Sequence, residues 1–221
     1  MLKCYLEYLI SIGGLIPLTF RPCLPAGRFN LLPKKMADRE ALLKQISGTI
    51  GKMKVLVLTR ILTEEHFALH DLIDLTFYPD KNIAFRAAWI LENVFLQNPA
   101  RYEPDLGYLL SRIHEVKYES CQRHYAKIMM HITNKKAPQK LQQKLMQLDL
   151  EPVVEQCFDW MINPKVKIAV KVFASEALFN LSGRYPWIAE ELANHLQFLM
   201  RNGTAAIQSR GRKLLLELAA V

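Results

Sequence analysis

Ile168-Ala-Val-Lys-Val-Phe-Ala-Ser-Glu-Ala-Leu-Phe-Asn-Leu181 is the stretch on which the fold turns. Val170, Ala174, Leu178 and Leu181 follow one another at three- and four-residue steps, the spacing that puts side chains on one face of an α-helix. The pattern recurs. Ala84–Gln97, Ser120–Thr133 and Ile207–Ala219 carry it too, and superposing them on Leu91, Met129, Leu178 and Leu215 as a common origin exposes an internal repeat. Three residues before the origin stand Ala88, Ala126, Ser175 and Arg212; three after stand Val94, Ile132, Leu181 and Leu218; eight before stand Ile83, Cys121, Val170 and Ile207. The origins lie 38, 49 and 37 residues apart.

Each of these helices is preceded by another amphipathic segment and a short polar turn. The pairs open with His66–Tyr78, Asp105–Val116, Pro152–Ile162 and Ile188–Arg201; the turns are Pro79-Asp-Lys-Asn, Lys117-Tyr-Glu, Asn163-Pro-Lys and Asn202-Gly-Thr. Helix pairs at a period of about 40 residues imply an all-α chain, a stacked α-solenoid, because one pair cannot bury its apolar stripe alone and neighbours must complete the core. Asp38–Ile61 supplies one or two further helices before the first pair, and the longest interval accommodates a short extra helix near Asn134–Leu148. Nothing rich in Gly and Ser interrupts residues 36–221, so they are expected to form one repeat domain.

This register, with Phe85-Arg-Ala-Ala-Trp-Ile-Leu-Glu and Val170-Lys-Val-Phe-Ala-Ser-Glu-Ala-Leu-Phe-Asn-Leu as its clearest statements, resembles HEAT or armadillo-type repeats. From about Arg39 to Leu218 the chain is similar to a group of short bacterial HEAT-like proteins, some of which carry the name adenylosuccinate lyase. The Ser-Ser-x-Met-Pro-x-Lys-x-Asn-Pro loop of true adenylosuccinate lyases is absent, so the resemblance implies a fold and no catalytic residues.

Residues 1–35 differ in composition. They hold 4 of the 11 prolines, 3 of the 9 glycines and 2 of the 4 cysteines. The apolar run Tyr8–Phe20 is shorter than a membrane span requires, and its flanks lack the basic start and cleavage site of a signal peptide. Asp38 is placed to cap a helix that opens with Arg-Glu-Ala-Leu-Leu, and Met36 is read as the start of the native domain, with residues 1–35 an N-terminal extension. That segment also bears on charge. Of the formal +8, half comes from Lys3, Arg21, Arg28, Lys34 and Lys35 against Glu7, which leaves the body only mildly basic. Cys121 and Cys157, both on apolar stripes and outside any CxxC pair, read as buried free thiols and point to a cytoplasmic setting.

A search for chemistry yields no enzyme. No nucleophile elbow, phosphate loop or dinucleotide fingerprint occurs. His66, His70 and Asp74 share one helix face, but Phe67 stands where a zinc-peptidase helix needs Glu, so the set reads as a solvated face; neither a metal nor a cofactor is expected. Cys157 reads as core, and Trp89, Trp160 and Trp187 as packing residues. The repeat register makes the surface more informative. Positions five before, two after and six after the origin fall within about 60° on a helix, and they assign Arg86, Asn93, His131, Asn180 and Arg210 to one polar edge of the second helices. That edge is expected to contact a protein partner across the concave face, with a structural ladder between helices as the other reading of Asn93, His131 and Asn180. Two basic clusters, Lys165, Lys167 and Lys171, then Arg201, Arg210, Arg212 and Lys213, suit nucleic acid, in the manner of HEAT-like alkylpurine DNA glycosylases; with the body only mildly basic a protein partner is the preferred expectation.

Overall fold

The polar turns are where the helices stop. In the computed structural model, which describes residues 39–48, 51–64 and 67–220, the order is α1 (Arg39–Ser47), α2 (Lys52–Glu64), α3 (Leu69–Leu75), α4 (Lys81–Gln97), α5 (Leu106–Ser111), α6 (Glu119–Ile132), α7 (Gln139–Gln147), α8 (Glu151–Ile162), α9 (Ile168–Leu181), α10 (Trp187–Arg201) and α11 (Ala205–Ala219). No strand occurs among the described residues. The extension 1–35, Asp38 and His66 lie outside them. Asp80 caps α4 through its carboxylate, which accepts from the backbone N–H of Asn82 at 2.7 Å, and Asn163 makes the matching turn before α9, accepting from Lys165 N–H at 2.9 Å.

Helices α2, α4, α6, α9 and α11 pack one against the next as a continuous layer, while α3, α8 and α10 each lie against the second helix of their own pair. Small residues set how closely that layer packs. Ala84, Ala87 and Ala88 of α4, Ala126 of α6 and Ala174 and Ala177 of α9 are fully buried, and their short side chains let helix axes approach while Leu91, Met129 and Leu178 fill the centre. Helix α9 is apolar nearly all round because α6, α8, α10 and α11 cover it from four sides. At α11 the register opens: Arg212, at the position filled by Ala88 and Ala126 in earlier repeats, is exposed. There α10 and α11 approach so closely that a Cβ on Gly211 would stand 2.5 Å from the Met200 sulfur. α7 is the extra helix expected in the long interval.

One first helix departs from expectation. The Asp105–Val116 segment forms only six residues of α-helix before a 3₁₀ turn at Ile113–Glu115, and α5 bridges α3 and α8. Arg112 explains the break. Its guanidinium stacks over Phe77 at 4.5 Å, bonds Asp74 at 2.7 Å and clasps Glu115, drawing the chain out of helical register to tie α3 to α5. Asp74 is therefore engaged by Arg112 and by the Tyr108 hydroxyl, and His70 stacks on Tyr108 while it pairs with Asp105 at 3.2 Å. Cys121 and Cys157 are free and buried, and burial raises their thiols to about 11 and about 12, far from the thiolate a nucleophile needs.

Candidate interaction groove

The edge expected from the register is largely occupied in holding the repeats together. Arg86 of α4 donates to the Ser47 carbonyl at 2.7 Å and so ties down the end of α1. Asn180 of α9 donates to the Met130 carbonyl and the Thr133 hydroxyl, 3.3 and 3.2 Å away on α6 and its end. Arg210 of α11 forms a 2.7 Å ion pair with Glu176 of α9. Asn93 donates to the Trp89 carbonyl one turn back, at 2.7 Å. These are the bonds of a ladder between and along second helices. His131 stands beside a cavity of about 250 Å³ lined by Leu96, Pro138 and Leu141, where partial desolvation of its ring and the nearby Lys127 lower its pKa despite Glu92.

Lys171 corrects the basic-cluster expectation. It is 5% exposed, and its ammonium donates to the Met161 carbonyl in the last turn of α8, where burial lowers its pKa. The cause is the packing of α8 on α9, which turns this face of α9 inward. Lys167 faces Glu119 at 3.6 Å and Lys213 faces Glu217 at 3.6 Å; Lys165, Arg201 and Arg212 are exposed.

An accessible feature of the second-helix layer is a groove of about 600 Å³ across α4, α6 and the start of α9. Phe85 and Trp89, one turn apart on α4, are half-buried along its wall with ring centres 5.7 Å apart. The His124 ring of α6 closes the aromatic surface, 6.4 Å from Trp89 at an interplanar angle of 19°. Trp89 is thus a groove residue rather than core: it is only partly buried and lines the groove. Trp160 is buried as expected, whereas Trp187 is 53% exposed and stacks on Phe158.

Behind the aromatic wall sits a buried polar centre. Glu92 of α4 is 9% exposed, and its carboxylate meets His124 Nδ1 at 2.7 Å and the Lys127 ammonium through the other oxygen. Burial alone would raise its pKa, but the hydrogen bonds from His124 and Lys127 prevail and hold the carboxyl below its ordinary value. The centre fixes the orientation of the His124 ring and of α6 against α4. At the rim Arg123 is exposed and forms no ion pair among the described residues. Asn93 and Lys167 are the two anticipated residues that reach this groove. Phe85, Trp89, Glu92, Arg123 and Lys127 were not singled out by spacing, although His124 stands at the register position of Arg86 and Glu92 is the lone acid in a run of buried apolar residues.

No curated protein and no solved structure matches the chain. A family model for the HEAT repeat domain does, over residues 42–218, a span from α1 to α11 that takes in every stacked pair described above. The chain belongs to the HEAT repeat family.

Proposed function

We propose that the protein is a non-enzymatic cytoplasmic scaffold that holds a segment of a protein partner along its second helices, in the groove of α4, α6 and α9. The observation that carries this reading is the Phe85–Trp89 wall, two partly buried aromatic side chains that line an open groove backed by a buried polar centre. Aromatic side chains left open in a cleft, with a cation at the rim and a rigid polar centre behind, match the anchors that dominate protein interfaces. The solenoid supplies a long preformed surface for this purpose. Buried free thiols accord with a reducing compartment, and none of the described helices is long and apolar enough to cross a membrane. The nucleic-acid alternative is weakened by the burial of Lys171 and by the acids that face Lys167, Arg210 and Lys213.

Capture from an extract of the source cells, with the full chain as bait, tests the reading. Trp89→Ala/Arg123→Glu removes no hydrogen bond or ion pair of the fold, though Trp89 packs on Phe85 and His124, so its melting temperature should fall by no more than about 8 °C and the helical circular dichroism of the parent should be kept. Recovery of a specific protein should fall about tenfold or more in the variant. Equal recovery by both baits would refute the groove as the binding surface.

A further inference from the structure

We infer that the groove takes an acidic polypeptide segment bearing one aromatic or branched aliphatic anchor, an inference that rests on the scaffold reading and specifies its partner. The anchor follows from the wall. Phe85 and Trp89 pack on each other with ring centres 5.7 Å apart, the buried His124 ring lies against both at 5.5 and 6.4 Å, and the aromatic surface they leave toward the groove favours contact with a planar or branched apolar side chain. A cation against this surface is disfavoured, because both carboxylates that line the groove are already engaged. Glu92 is held by His124 and Lys127, and Glu119 faces Lys167. The field left at the mouth is positive, set by Arg123. Its planar guanidinium forms no ion pair among the described residues, because Glu119, one turn before it on α6, turns to Lys167, and it is shaped for bidentate capture of a carboxylate. Lys167, 68% exposed and only loosely paired, can exchange Glu119 for an acid of the partner. A nucleic acid strand would have to bring its phosphates past Glu92 and Glu119 with one unpaired cation to receive them, so a peptide fits better.

The test uses the full chain as target for a library of random dodecapeptides displayed on phage, with a fluorescent twenty-residue oligothymidylate measured in parallel. The expected result is enrichment of peptides that place Asp or Glu within two residues of Trp, Phe, Leu or Ile. Synthetic versions should bind the parent about 30-fold more tightly than Trp89→Ala, the loss typical of truncating an interface anchor. Arg123→Glu should weaken them similarly, and replacing the peptide's acids by Lys should restore part of the affinity for that variant. Enriched peptides that are basic or uncharged, yet still depend on Trp89, would overturn the acidic-partner inference and leave the scaffold reading standing. If no peptide depends on Trp89 or Arg123, or if only the oligonucleotide does, both fall together.

Discussion

Tyr125→Ala is expected to destabilise the protein by about 4 kcal/mol, the upper part of the range for emptying an aromatic site in a core. The ring is fully buried at the middle of the second-helix layer, on α6, and lies 6.1 Å from Phe77. Its hydroxyl serves too. The Thr76 hydroxyl spends its only hydrogen on the Ile73 carbonyl at 2.6 Å, so Tyr125 donates to Thr76 at 2.7 Å and closes the C-terminal end of α3 against α6. Alanine leaves a large void between α3 and α6 and removes the donor as well. Each kcal/mol shifts the melting temperature of a domain this size by about 2–4 °C, so a fall of about 8–16 °C should appear by calorimetry. Tyr125→Phe separates the two parts. Thr76 keeps its bond to Ile73, and the loss should be about 1 kcal/mol. A Phe variant as damaged as the Ala variant would mean that the hydrogen bond, not the ring volume, holds α6 in place.

Glu92→Ala should cost about 3 kcal/mol at neutral pH. The carboxylate is the sole acid shared by His124 and Lys127, and removing one member of a buried charged set strands the rest. Lys127 is 34% exposed and can turn to water, which keeps the cost at the low end of that class. Because the folded pKa of Glu92 lies below its ordinary 4.5, the stability it contributes is complete above pH 4.5 and disappears as pH falls through the depressed value. Urea titrations of the parent and Glu92→Gln should therefore differ most at pH 6–7 and converge as pH drops below about 4.5. A gap that stays constant, or widens in acid, would contradict the ion-paired centre.

How far the residues spoke for themselves varied with the physics involved. The second helices were legible because a strong period survives with only end errors; α9 begins and ends where the spacing of Ile168–Leu181 places it. The break after α5 was not, since apolar spacing runs on through Ile113 and Val116 while the helix stops at Arg112, whose bond to Asp74 no local pattern announces. The candidate edge was half legible. Periodicity tells which residues share a face but not which neighbour covers it, so Arg86, Asn180 and Arg210 could be grouped without revealing that each reaches across to an earlier element. The same ignorance hid the groove. Glu92 finds its partners 32 and 35 residues along the chain, and Trp89 lines a groove that only the packing of α4 with α6 and the start of α9 creates. Lys171 fails for the converse reason, since α8 covers a lysine that helical spacing alone would leave in water.

Site-specific photo-cross-linking in living source cells reads out whether a partner protein sits on the Phe85–Trp89 wall. A benzophenone amino acid placed at Trp89 should give a discrete protein adduct, lost when Arg123→Glu is added. The same probe at Phe198, an exposed apolar side chain on α10 in the first-helix layer, should not. A protein adduct at Phe198 with none at Trp89 would overturn this assignment, and an adduct at Trp89 whose added mass nuclease removes would move the groove to nucleic acid.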